Sequence, residues 1–257
     1  MNLLVEVIRV VKRLATRAAR AERDVAVANC PLDKHLVRVS QQIRQAIPRE
    51  DFSGIAVIDF EEWRPLYQLN WGKKSVSMLV YLRENVYKRE SLRLVKEQYP
   101  FISDKSAEEL AKKEFNNAAK KIFLHTIAIA RQLRPYARWG FYGFPYCNYD
   151  AGNSETDMLC SESFRRFNDQ MSFIYQASTA LFPSIYLSLK GTSAQNYRYI
   201  QKDVCNSLKQ AADMGARGVI LWSSSKNMKQ RCDGLANYVR DMLGPCVAYV
   251  TYHIISV

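Results

Sequence analysis

The sequence predicts an α/β protein with a parallel sheet, and three observations support that fold class. The 257 residues, 48% of them hydrophobic, suffice for one large domain or two small ones and exclude an intrinsically disordered chain. The nearly continuous apolar run at residues 55–60 is typical of a buried parallel strand. Helix and strand patterns alternate around that run, which indicates a doubly wound sheet or a barrel.

The N-terminal part of the chain is predicted to be helical. Residues 2–28 place apolar side chains at helical spacing among arginines and predict one basic amphipathic helix. We therefore expect residues 1–29 to form a helical extension and residues 30–257 to form the main domain. A further helix is predicted over His35–Ala46, just before the apolar run.

The middle and C-terminal parts continue the alternation. Ser106 and Glu109 have the spacing of a capping box, which predicts the start of a long helix that ends before Pro135. Its predicted buried side chains are Leu110, Phe115, Ile122, Phe123 and Leu133. The later strands are predicted at Trp139–Phe144, Ser184–Leu187 and Gly218–Trp222, and the later helices at Ser163–Leu181 and Asp203–Met214.

The charge balance favours polyanionic partners. Lys and Arg number 37 against 25 Asp and Glu, a formal net charge of +12. Nucleic acid, an anionic membrane and an acidic polysaccharide all fit this balance, as does a basic surface without a specific ligand. No apolar stretch approaches the roughly 20 residues of a transmembrane helix, and no signal peptide is predicted, so the cellular compartment is left open.

Metal binding is not predicted. The three histidines are far apart in sequence, and the six cysteines form no C-x-x-C pair. An even number of cysteines permits disulfides without requiring them. The cysteines are Cys30, Cys147, Cys160, Cys205, Cys232 and Cys246.

Two carboxyl groups follow the apolar run. Ligands and catalytic groups gather at the carboxyl ends of parallel strands, and Asp59 and Glu61 lie there. Side chains two apart in a strand point the same way, so these carboxyls are expected side by side, with Glu62 turned away. Repulsion between two close carboxylates raises the pKa of one of them, so that it can donate a proton near neutral pH, as a general acid in glycoside hydrolysis must. An ion pair with Arg64, or a helix cap, is the structural alternative.

Four segments of the sequence favour the catalytic interpretation of Asp59 and Glu61 over the structural alternative. They are Gly54–Pro65 with Asn70-Trp71, Arg134-Pro135 with Trp139–Cys147, Leu181–Tyr186, and Gly215–Trp222. In this order they resemble the hyaluronidases, family 56 of the glycoside hydrolases, and the resemblance runs from about residue 30 to about residue 251.

The resemblance implies endo-hydrolysis of hyaluronan, and of chondroitin in many members, on a distorted (β/α) TIM-like barrel. Glu61 would be the general acid/base, and the substrate's own acetamido carbonyl would be the nucleophile. Asp59 would position the acetamido group, with Tyr142 and Tyr186 orienting it. Trp222 and Arg64 would contact the substrate. Members are secreted, lysosomal or membrane-anchored.

The resemblance also carries expectations about partners. It implies no cofactor, a glycosaminoglycan substrate, a monomer, and a disulfide between Cys147 and Cys160. Nucleic acid is not expected as a partner, and binding through the N-terminal basic helix is the lowest-ranked hypothesis.

The sequence also departs from the family pattern. The basic helix stands where members have their first strands, and a helix-strand unit is missing after Tyr186, which predicts an incomplete barrel. A catalytically inactive chain that at most binds polyanions is therefore the alternative function.

Overall fold

The computed structural model describes residues 7–10, 27–60, 63–70, 86–146, 161–183, 236–237, 239–245 and 248. The strands are β1 (Val7–Val10), β2 (Ile55–Ile58) and β3 (Arg138–Phe141). The α-helices are α1 (Leu32–Ala46), α2 (Val86–Gln98), α3 (Asp104–Leu133), α4 (Glu162–Gln170) and α5 (Ser172–Ala177). Short 3-10 turns cover Val27–Asn29 and Tyr67–Leu69, and a π-helical turn covers Val239–Leu243.

The chain divides into two compact units, Met1–Trp139 and Gly140–Val257. The boundary falls inside β3 rather than at residue 29, and the assignment of residues 1–29 to a separate extension stays a prediction. In the described part of the chain, no helix has the length and apolarity needed to cross a membrane.

The sheet has the strand order β1-β2-β3. β1 pairs with β2 in parallel, with Val7 opposite Ile55 and Val10 opposite Ile58. The predicted helix over residues 2–28 is therefore wrong at Val7–Val10, and so is the expectation that no strand precedes residue 30. Three of these four residues are β-branched, which favours a strand once an apolar neighbour is available for pairing.

The long helix α3 is the main scaffold of the first unit, and its predicted end before Pro135 is confirmed. Its predicted start was wrong, because the N-cap is Ser103, whose Oγ accepts from the main-chain N–H of Ser106 at 3.2 Å. The Ser103 hydroxyl thereby pairs one of the main-chain N–H groups that the first turn of α3 leaves without a partner inside the helix.

Helices α1 and α2 both pack on α3. Between α2 and α3 the core consists of Val95, Ala107 and Ala111, with Leu92, Ile102 and Leu110 packed against it. Further along α3, Phe115, Ile122 and Phe123 are buried as predicted, whereas Leu110 and Leu133 are half-buried. The buried Arg134 follows α3 and donates from Nε to the carbonyl of Ile47 at 2.8 Å, which satisfies the C-terminal end of α1.

The second unit begins with the last two residues of β3. Gly140 is required there, because a Cβ at this position would lie 2.0 Å from the carbonyl oxygen of Ala180. The helix predicted over Ser163–Leu181 is split at the buried Met171, whose ψ of 8° separates α4 from α5. The strands predicted at Ser184–Leu187 and Gly218–Trp222 and the helix at Asp203–Met214 lie outside the described residues.

Candidate active site

Asp59 lies directly after β2, at the strand's carboxyl end, as predicted. Its side chain is buried, with only 7% of its surface exposed. β2 presents the pattern of a strand covered by protein, since Ala56, Val57 and Ile58 are all buried. A buried carboxyl at such a strand end can orient a polar group of a ligand, because the strand fixes its direction.

An aromatic cluster holds the residues on both sides of positions 61 and 62. Phe60 packs edge-on against Trp63, with ring centroids 4.9 Å apart, and against Phe123 of α3 at 5.2 Å. Trp63 contacts Phe123 and Phe115, each with ring centroids 5.7 Å away. Phe60 and Trp63, the residues on either side of Glu61-Glu62 in the sequence, are therefore both packed against aromatic rings of α3.

The loop after Trp63 is closed by the buried Asn70. Its Oδ1 accepts from the main-chain N–H of Arg64 at 2.8 Å, and its Nδ2 donates to the carbonyls of Arg64 and Leu66. The Arg64 guanidinium donates through Nη1 to the carbonyl of Leu69 at 2.7 Å. These bonds give Arg64 and Asn70 a role in shaping the loop, which the sequence pattern did not reveal.

A half-buried histidine, His35, contacts Phe60. His35 of α1 lies within hydrogen-bond distance of Thr126 of α3, with Nε2 and Oγ1 2.8 Å apart. The ring also meets Phe60 edge-on, at a centroid distance of 6.4 Å. Burial, and then the charge of Arg38, lower the pKa of His35 from 6.5 to about 4, so the imidazole is neutral near pH 7.

In the second unit, Tyr142 follows β3 directly and is buried. It forms a parallel bridge with Phe182, and the N–H of Gly143 donates to the carbonyl of Phe182 at 2.8 Å. Gly143 has φ of 92°, a conformation that glycine adopts without strain.

The segment after Tyr142 is held by the side chain of Asn168. Its Oδ1 accepts from the main-chain N–H of Tyr146 at 3.1 Å and from the hydroxyl of Tyr175 at 2.9 Å, and its Nδ2 donates to the Tyr146 carbonyl at 2.7 Å. Burial raises the pKa of Tyr175 well above 10, so its hydroxyl remains a donor.

Three predicted site residues are therefore placed: Asp59 and Arg64 in the first unit and Tyr142 in the second. Glu61, Tyr186, Trp222, Cys147 and Cys160 lie outside the described residues. The sequence pattern did not indicate that His35, Thr126 and Asn168 support these segments. For His35 a signal existed, since it lies four residues before the buried Val39 on α1.

The described side chains do not suggest a metal centre. Among those residues, no group of three or more His, Cys, Asp or Glu side chains comes together closely enough to hold an ion.

Comparison with known proteins places these segments in one family. The family model described as hyaluronidase matches residues 25–212 and residues 193–255. The chain belongs to the hyaluronidase family. Both the β2 segment and the β3 segment lie within the first of the two matched ranges.

Relatives in this family support the assignment. Human hyaluronidase-1 is 34% identical over 265 residues, covering 87% of this chain and 58% of its own length. Chondroitin hydrolase of Caenorhabditis elegans is 34% identical over 256 residues, covering 83% of this chain and 53% of its own length. This chain thus spans little more than half the length of these hyaluronidase relatives.

Solved structures show the same fold. Bee venom hyaluronidase is 26% identical, with a TM-score of 0.65 over 87% of this chain and 81% of that chain. A second structure of bee venom hyaluronidase, in complex with a hyaluronic acid tetramer, is 25% identical with a TM-score of 0.62 over 89% of this chain and 79% of that chain. The fold is therefore that of the hyaluronidases, with helices predominating over the small described sheet.

Proposed function

We propose that this chain is an endo-β-N-acetylhexosaminidase that cleaves hyaluronan, and chondroitin as a related substrate. The observation that carries the proposal is the buried Asp59 at the carboxyl end of β2 in a chain of the hyaluronidase family. A bee enzyme of this fold binds a hyaluronic acid tetramer, and the net charge of +12 suits a polyanionic substrate. The barrel in this proposal is the family's distorted (β/α) barrel, without some of its strands.

In the proposed reaction, Glu61 donates a proton to the glycosidic oxygen as the bond from C1 breaks. The acetamido carbonyl oxygen of the substrate attacks C1, so a cyclic intermediate forms and the leaving sugar departs as an alcohol. Water then attacks C1, gives its proton to Glu61, and reopens the ring with retention of configuration. Atoms and protons balance, since Glu61 ends the cycle in its starting state.

The other proposed site residues act on the acetamido group and the sugar. Asp59 would orient and polarise the acetamido N–H, and Tyr142 and Tyr186 would align its carbonyl for attack. Trp222 would pack against the acetyl methyl group. Arg64, whose guanidinium donates to the carbonyl of Leu69, would contact the substrate beside this loop. A disulfide between Cys147 and Cys160 would restrain the segment that follows Tyr146.

The test is depolymerisation of hyaluronan and chondroitin by the purified chain at acidic and neutral pH. Glu61→Gln is expected to lower kcat by about a thousandfold or more, since general acid catalysis contributes roughly 10²–10⁴-fold. Asp59→Asn tests the positioning role. Glu62→Gln is the matched control, because it makes the same chemical change one residue away and is expected to leave cleavage close to that of the wild type.

Circular dichroism must show that all variants fold. Equal cleavage by the wild type and Glu61→Gln would overturn the assignment of Glu61. A folded wild type that cleaves neither polymer would overturn the enzymatic proposal, and retention on a hyaluronan column would then support a chain that only binds polyanions.

A further inference from the structure

His35 is a half-buried titratable side chain that the proposed mechanism does not use. It lies in the first turn of α1, and its Nε2 is 2.8 Å from Oγ1 of Thr126, 91 residues further along the chain. Thr126 is 1% exposed on the inner face of α3. The contact therefore joins two packed helices through a part-buried hydrogen bond, whose Thr126 end is shielded from water.

The ring of His35 also packs against one side of the Phe60 ring. The two rings meet edge-on, with centroids 6.4 Å apart and an interplanar angle of 75°. Trp63 and Phe123 also pack against the Phe60 ring, at 4.9 Å and 5.2 Å. Phe60 directly follows Asp59, so the packing of its ring restrains the main chain at the end of β2 that carries Asp59.

We propose that His35, fixed by Thr126, is a positioning residue for Asp59 and Phe60 at the end of β2. Its imidazole forms the wall against which Phe60 packs, and the hydrogen bond to Thr126 fixes the plane of that wall. The kinetic consequence of this inference rests on the proposed function, whereas its structural consequence rests on the packing alone.

The chemistry of histidine suits this role better than an apolar ring or a polar chain would. One ring nitrogen can bond to Thr126 while carbon atoms of the same ring contact Phe60, so a single rigid side chain is fixed at two points. The lowered pKa of His35 keeps the imidazole uncharged above about pH 5, and an uncharged ring is compatible with packing against Phe60.

The structural test is amide hydrogen exchange, followed by mass spectrometry, in the peptide that covers residues 55–66. His35→Ala removes the wall and the bond, Thr126→Val removes only the hydroxyl, and Thr126→Ser retains it. We expect exchange at positions 59–63 to rise by about tenfold in His35→Ala and by less in Thr126→Val, because local opening becomes easier. Thr126→Ser is expected to match the wild type.

His125→Ala is the matched control. His125 is the next residue on α3, is exposed, and bonds through Nδ1 only to the carbonyl of Lys121 in its own helix. We expect its exchange at positions 59–63 to equal that of the wild type. Unchanged exchange at these positions in folded His35→Ala and folded Thr126→Val would overturn the positioning role.

The kinetic test separates positioning from general stability. In His35→Ala, kcat for hyaluronan is expected to fall about 10- to 100-fold per folded molecule, with KM within about twofold, because misplacement near 1 Å costs rate rather than binding. Thr126→Ser should retain the wild-type kcat. A lower melting temperature with unchanged kcat would overturn the positioning role in favour of a purely structural one.

The two proposals can fail separately. A wild type that cleaves neither hyaluronan nor chondroitin overturns the proposed function, and the exchange experiment then still decides whether His35 holds the segment. If His35→Ala does not fold, Thr126→Val against the wild type decides, since this variant replaces the hydroxyl by a methyl group of similar size, and Thr126→Ser shows whether the hydroxyl alone suffices.

Discussion

The segment after β2 and the segment after β3 are held by different kinds of contact. Beside Asp59, the ring of Phe60 packs against other rings, and the hydrogen bond between His35 and Thr126 stands behind it. Beside Tyr142, the amide of Asn168 makes two hydrogen bonds to the main chain of Tyr146 and accepts a third from the Tyr175 hydroxyl, and the ring of Phe144 packs on that of Tyr146 with centroids 4.7 Å apart. The first segment thus depends mainly on ring packing, whereas the second adds satisfied polar groups to its ring packing.

This difference matters because the two kinds of contact respond differently to change. When a packed side chain is shortened, the free energy of unfolding falls in proportion to the cavity left behind. When one partner of a buried hydrogen bond is removed, the remaining polar group stays buried without a partner, and stability falls by the cost of its desolvation. Ring packing also fixes position from several sides at once, which suits a segment expected to carry the reacting carboxyls.

The largest effect is expected for Phe60→Ala. This change removes a ring that is 8% exposed and contacts three other rings, so we expect the free energy of unfolding to fall by about 4 kcal/mol. Phe101→Ala is the matched control, because Phe101 is fully exposed and should change stability by less than about 0.5 kcal/mol. Urea unfolding followed by circular dichroism measures both. Equal losses in the two variants would show that packing around Phe60 does not hold the first segment.

A smaller effect is expected for Asn168→Ala in the second segment. The change leaves the N–H and carbonyl of Tyr146 and the hydroxyl of Tyr175 without their partner, at a cost of about 2–3 kcal/mol. Tyr175→Phe removes one of the three bonds and should cost about 1 kcal/mol. Gln170→Ala is the control on the same helix, since that amide is exposed. An Asn168→Ala variant as stable as Gln170→Ala would contradict the hydrogen-bond account.

The elements that sequence reasoning located well are those with a local signal. α1, β2 and the end of α3 were predicted close to their observed bounds, because periodicity and Pro135 act on neighbouring residues. The split at Met171 left no such signal. β1 was missed because its identity as a strand depends on pairing with β2, nearly 50 residues away in the register of Val7 with Ile55.

The same distinction applies to the candidate site. Asp59 was placed correctly at the end of β2, since strand ends are visible in the apolar pattern. The bond of Arg64 to the carbonyl of Leu69 depends on how the loop closes, which no spacing rule reports. The roles of His35 and Asn168 depend on partners 91 and 22 residues away in the sequence, so they required the folded structure.

The third predicted effect is a pH dependence of stability that arises from His35 beside the first segment. The pKa of His35 is about 4 in the folded chain and near 6.5 when unfolded, so below pH 6.5 the unfolded chain binds the extra proton and stability falls. Between pH 7 and pH 5 this loss should be about 2 kcal/mol. His35→Phe, which keeps a ring against Phe60, should remove that loss, whereas exposed His125→Ala should retain it. Urea unfolding of the three proteins at both pH values measures it. Equal pH slopes in the wild type and His35→Phe would show that His35 does not cause the loss of stability in acid.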